Sequence, residues 1–66
     1  MFNLRGRFFT SKYQIGDRVV HAATRQFGRV IGTQQVGKTQ LISVVTDLGL
    51  EIHLADRREF MLAAKG

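Results

Sequence analysis

The sequence predicts an all-β domain, a small barrel of five short strands with one helical turn before the last strand. Three observations predict it. β-Branched residues recur close together, at Val19-Val20, at Val30-Ile31 and at Ile42, Val44, Val45 and Thr46, and such side chains fit a pleated, half-buried surface. Glycines stand between the runs, where a small sheet must turn or bend. Leu50-Glu51-Ile52-His53-Leu54 alternates apolar and polar residues strictly, which places Leu50, Ile52 and Leu54 on one face.

Taken in order, residues 1–12 show no sustained periodicity and read as a basic, irregular N-terminal arm, and residues 13–66 form the barrel domain. Gly16-Asp17 is a turn, with the Asp17 carboxylate accepting from nearby backbone N–H groups. The first strand runs from Arg18 to Ala22, a loop covers Ala23 to Gln26, and a longer strand runs from Phe27 to Gln35. Val36-Gly37-Lys38 turns the chain into a third strand, Thr39 to Thr46. Asp47-Leu48-Gly49 makes a tight hairpin with Gly49 in the left-handed position, leading into the fourth strand, Leu50 to Leu54. Ala55 to Arg58 forms the helical turn, and Phe60-Met61-Leu62 closes the domain. Closure suits a chain of 66 residues, because it removes exposed sheet edges.

Composition narrows the function. A domain this small buries only about 60% of its unfolded surface, which leaves little room for an enclosed catalytic cavity. There is no cysteine, hence no disulfide and no thiolate site. No apolar run approaches the ~20 residues of a membrane span, and the N-terminus lacks the apolar core of an export signal, so a cytoplasmic protein is expected. The net charge is +5. Residues 1–16 carry +3 of it, through Arg5, Arg7 and Lys12. Such a bias attracts phosphate backbones or acidic protein patches, and equally serves to solubilise a tail. Phe8-Phe9 beside Arg5 and Arg7 has the composition of a nucleic-acid stacking arm, although adjacent aromatics also pack back on their own domain.

Gly32-Thr33-Gln34-Gln35-Val36-Gly37-Lys38-Thr39 fits G-x-x-x-x-G-K-[ST], the phosphate-cradling loop of nucleotide hydrolases. It follows the apolar pair Val30-Ile31, and Leu41, Val44, Val45 and Leu48 stand beyond it at helical spacing. Length decides against that reading. Such a loop works between a parallel strand and a helix N-terminus inside a multi-strand sheet, with a second acid for Mg²⁺. A β-turn at Gly37-Lys38 is expected instead. Other chemistry is thin. His21 and His53 lack metal-ligand spacing, with His21 expected at a strand end and His53 solvated, and Ser11 and Ser43 lack a nucleophile's context. Neither a catalytic residue, nor a metal, nor a cofactor is expected.

Gly16-Asp17-Arg18-Val19-Val20-His21, followed by Phe27-Gly28-Arg29-Val30, resembles the G-D-x-V-x-H…F-G-x-G-x-V pattern of SH3-like (Tudor-like) barrels. These occur at the C-terminus of UvrD/PcrA-type helicases and, with a related opening, in CarD-type RNA-polymerase-binding domains. Asp47 to Leu54 matches their aspartate–glycine hairpin and following strand, and the resemblance covers roughly residues 14–62. The chain departs from the pattern at Arg29 and at Ala22, where proline is absent. The resemblance implies an SH3-like barrel with a protein partner, such as RNA polymerase or a helicase-type assembly, and sheet-edge pairing as a mode of contact. A second resemblance, to type II dihydrofolate reductases, rests on Gly16 to Val19 and on Ile52. Glu51 and His53 depart from their active strand, and Glu51 would repel anionic ligands at a shared pore, so reductase activity is not expected.

The expected function is therefore a non-catalytic binding module that contacts transcription or repair machinery. Direct binding of DNA or RNA is the alternative, and a structural subunit of a larger complex is a third reading. Candidate contacts on the arm are Arg5, Arg7, Phe8 and Lys12, and on the barrel Arg25, Arg29, Lys38, Arg57 and Arg58. No membrane partner is expected, and the sequence leaves the oligomeric state open.

Overall fold

The structure, a computed structural model, describes residues 12–64. Five strands follow one another as β1 (Arg18–His21), β2 (Phe27–Val36), β3 (Thr39–Thr46), β4 (Glu51–Asp56) and β5 (Phe60–Ala64). A single turn of 3₁₀ helix, η1 (Arg57–Glu59), separates β4 from β5. The expected arm, residues 1–11 with Arg5, Arg7 and Phe8, lies outside the described residues.

The strands form one antiparallel sheet in the order β4-β3-β2-β1-β5. That sheet is open, which corrects the expected barrel and with it the SH3-like, Tudor-like identification. Among the described residues no ladder joins β4 to β5. The outer strand β4 is itself irregular. Between the pairs Val44↔Ile52 and Ile42↔Ala55 it carries one residue more than β3, and Leu54 takes a left-handed φ of 53°. This bulge breaks the even row of N–H and C=O groups that a closing strand would need. It also undoes the expected alternation. Ile52 packs on the core, but Leu54 is 43% exposed, Leu50 is exposed outside the strand, and Ala55 takes the next core-facing position.

The turns follow local chemistry. Gly37 at φ 60° before Lys38 gives the glycine-first two-residue hairpin between β2 and β3. Gly49 at φ 88° lies in the loop from β3 to β4, and its N–H donates to the Thr46 carbonyl at 2.8 Å. Asp17 is fully buried, and its Oδ2 accepts from the Gln14 N–H at 2.9 Å. The same turn is stitched to β2, with Gly16 N–H donating to Val30 O and Val30 N–H donating to Asp17 O.

The core is small: Val19, Val30, Ile42, Val44 and Phe60 are buried, with Tyr13, Ile52 and Ala55 packed against them. On β3 every second residue from Gln40 to Thr46 is buried, the period of a strand with one covered face, and Ser43 is buried as well, its Oγ accepting from the Leu54 N–H at 3.1 Å. A second bulge, at Ile31 between Val30↔Val44 and Gly32↔Ser43, bends β2. Beyond it, β2 pairs only with β3, and the two run on as a hairpin to Gly37 and Lys38.

Gly28 marks the tightest approach in the sheet. A Cβ there would stand 2.6 Å from Val44 Cγ1 and 2.7 Å from the Val45 carbonyl oxygen, and a backbone atom cannot step aside as a side-chain tip can. Gly28→Ala is therefore expected to cost about 1–3 kcal/mol, lowering the thermal midpoint by at least about 4 °C. Gly32→Ala, whose new methyl would meet nothing nearer than 3.7 Å, is the control and should leave the midpoint nearly unchanged. Calorimetry of the two variants checks this.

Candidate functional site

The β2–β3 hairpin and η1 meet at one end of the sheet and enclose a cleft of about 230 Å³. The hairpin contributes Lys38, Thr39 and Gln40, and the end of β4 with η1 contributes Asp56, Arg57 and Arg58. The pair Leu41↔Asp56 sets this meeting, because it places the last residue of β4 beside the start of β3.

Asp56 organises its side of the cleft. It is the N-cap of η1, with Oδ1 accepting from the Arg58 N–H at 2.8 Å. The Arg58 guanidinium folds back on the same carboxylate, with Nη2 2.8 Å from Oδ2. These bonds, side chain first and backbone second, hold the Asp56 carboxyl down at about 2, and raise Arg58 in turn. Arg57 lays its guanidinium over the Tyr13 ring, 5.3 Å from the centroid. Burial pushes the Tyr13 hydroxyl upward, against the lowering effect of Arg57.

Gln40 holds the floor. Its buried carboxamide accepts from the Tyr13 N–H at 2.9 Å through Oε1 and donates to the Tyr13 carbonyl at 2.8 Å through Nε2. The Tyr13 hydroxyl donates to the Phe60 carbonyl at 3.1 Å. Lys12, exposed and next in the chain, therefore enters the domain beside the cleft.

Of the candidate contacts read from charge alone, Lys38, Arg57 and Arg58 come together here. Arg25 does not: it sits in the β1–β2 connection at a left-handed φ of 62°. Arg29 lies on the outer face of the sheet, in register with Arg18, where its Nη1 donates to the Gly16 carbonyl at 2.8 Å. Neither lines the cleft. Asp56, Gln40 and Tyr13 were not read as site residues. For Asp56 a signal existed: Asp56-Arg57-Arg58-Glu59 has the acid-x-x-Glu spacing of a helix start.

The phosphate-loop pattern resolves as a hairpin. Gly37-Lys38 is the turn, and the residues after it form β3. His21, at the end of β1, holds Glu59 at 3.3 Å, and the exposed His53 holds Glu51 at 3.1 Å. Among the described residues no three His, Asp or Glu gather as a metal site, and no helix is long and apolar enough to cross a membrane. No protein family, no curated protein and no solved structure matches the chain. The expectation of a transcription or repair partner was drawn from the barrel resemblance and loses that support.

The depressed Asp56 carboxyl sets a sign for acid stability. Its folded-state value lies below the ordinary 3.8, so its contribution is present above 3.8 and is lost as pH falls toward about 2. Asp56→Asn keeps a good cap residue but removes the charge. The midpoint of the variant is expected to lie below that of the natural chain at pH 5, with the gap closing by pH 2. Thermal melts by circular dichroism at the two pH values check this.

Proposed function

We propose that the chain is a non-catalytic binding module whose ligand is a nucleic acid, held by its phosphates at the cleft. The observation that carries this reading is the charge gathered there. Lys38, Arg57 and Arg58 line one cleft with Asp56 as the only acid among its lining residues, a surplus of +2. Elsewhere among the described residues the formal charges balance, with Lys12, Arg18, Arg25 and Arg29 against Asp17, Asp47, Glu51 and Glu59. The surplus therefore concentrates at the hairpin end of the sheet, where Lys12 also enters.

Cations on two separate elements suit a phosphodiester chain, which presents charge after charge along a track. Arg and Lys bring different geometry to it, a planar fork and a compact point charge. In the sequence, Arg5 and Arg7 lie just upstream of Lys12 and add further positive charge, and Phe8 adds a ring on which a base can stack. Contacts of this kind fix position on the backbone rather than read sequence, so weak dependence on base composition is expected.

Fluorescence anisotropy with the full chain, a labelled single-stranded oligonucleotide and its duplex tests the reading. Three phosphate contacts give a slope of log K against log salt of about −2 to −3. Lys38→Ala is expected to weaken binding uniformly across sequences and to flatten that slope by about 0.7–0.9. Asp56→Asn is expected to strengthen binding, since it raises the cleft's surplus by one charge. A slope near zero, or a Lys38→Ala variant indistinguishable from the natural chain, overturns the reading and returns the cleft to a protein ligand.

A further inference from the structure

Among the described residues the open sheet has two outer strands, β4 and β5, and their edges differ sharply. The β4 edge is guarded. Glu51, His53 and Asp56 place charged or ionisable groups along it, and the bulge at Leu54 kinks it. These are the devices by which sheet proteins prevent edge-to-edge pairing. The β5 edge has little of this. Phe60-Met61-Leu62-Ala63-Ala64 contains no charge, no proline and no glycine. Its one irregularity, where Ala63 is skipped between Arg18↔Ala64 and Val19↔Leu62, lies toward the strand's end and leaves Phe60 to Leu62 in regular register with His21 to Val19. Met61 is 48% exposed and Leu62 46% exposed.

The apolar character of this edge continues inward. Phe27, Val20 and Met61 are cross-strand neighbours in one row over β2, β1 and β5. None of the three is buried, so the row reaches the edge as open apolar surface. It has more greasy area than an isolated edge residue would need to explain.

We propose that β5 pairs with β5 of a second copy, antiparallel about a two-fold axis at Leu62, joining two five-stranded sheets into one. Symmetry favours a self-complementary strand, since each residue meets its mirror position. In this register Phe60 faces Ala64 of the other copy, Met61 faces Ala63, and Leu62 faces itself. Every large side chain beyond the axis meets a small one, and no charge opposes another. The same operation on β4 pairs Glu51 with Asp56 of the second copy, two acids directly opposed, which disfavours that edge. The proposal rests on the sheet edges alone and is independent of the ligand of the cleft.

Sedimentation equilibrium of the full chain from about 10 μM to about 1 mM, a range that spans weak to moderate association, reads the state directly. The natural chain is expected to approach twice its 7.5 kDa mass as concentration rises. Leu62→Lys and Leu62→Glu each set like charges face to face across the axis, and each should weaken the dimer at least about tenfold. An equimolar mixture of the two variants opposes unlike charges, and is expected to recover a mixed dimer. Recovery in the mixture also shows that both variants fold. A natural chain that stays monomeric throughout, or a dimer that persists unchanged in both separate variants, overturns the proposal.

Discussion

The Gln40 carboxamide is the interaction on which the working end of this molecule depends. It is 5% exposed and answers both backbone groups of Tyr13, so it stands in for a missing strand. A buried amide left without partners costs about 1–3 kcal/mol, which makes the pairing close to obligatory once Gln40 is inside. Everything at the cleft follows from it. Tyr13 is fixed beneath η1, its hydroxyl reaches Phe60, and its ring receives Arg57. With Arg57 committed to the ring and Arg58 to Asp56, the two guanidinium groups of the helical turn have different partners. Lys38, on a rigid glycine-led turn, completes the rim from the other side.

The open sheet makes the same point at larger scale. Five buried apolar side chains can seal one face of a short sheet, but they leave its ends bare. β4 is bulged at Leu54, no ladder joins it to β5 among the described residues, and the chain crosses by η1 to reach the far edge. The crossing lays two arginines beside the hairpin.

Much of this was legible in the sequence, for local reasons. The β-branched runs and the glycines at 16, 37 and 49 set strands and turns through neighbouring residues alone, and the observed bounds fall within two residues of the expected ones. What escaped was long-range. Strict alternation through Leu50, Ile52 and Leu54 argued for a flat strand, but pairing with β3 forces an extra residue and turns Leu54 outward. The barrel was inferred from strand number and order, whereas closure depends on whether two edges can meet. Gln40 looked like one polar residue among several, because its partner lies 27 positions away. Charge alone found three members of the cleft and also two arginines, Arg25 and Arg29, that the fold carries elsewhere.

The central claim is that the hairpin and η1 act together as one anionic-ligand site. Titrating the isotopically labelled full chain with a short oligonucleotide and following its backbone amides by NMR tests that claim most directly. The account predicts that the amides of Lys38, Thr39 and Gln40 move together with those of Arg57 and Arg58, along one saturation curve. Perturbations confined to β5 and the Phe27 row, with those five amides unmoved, would contradict it.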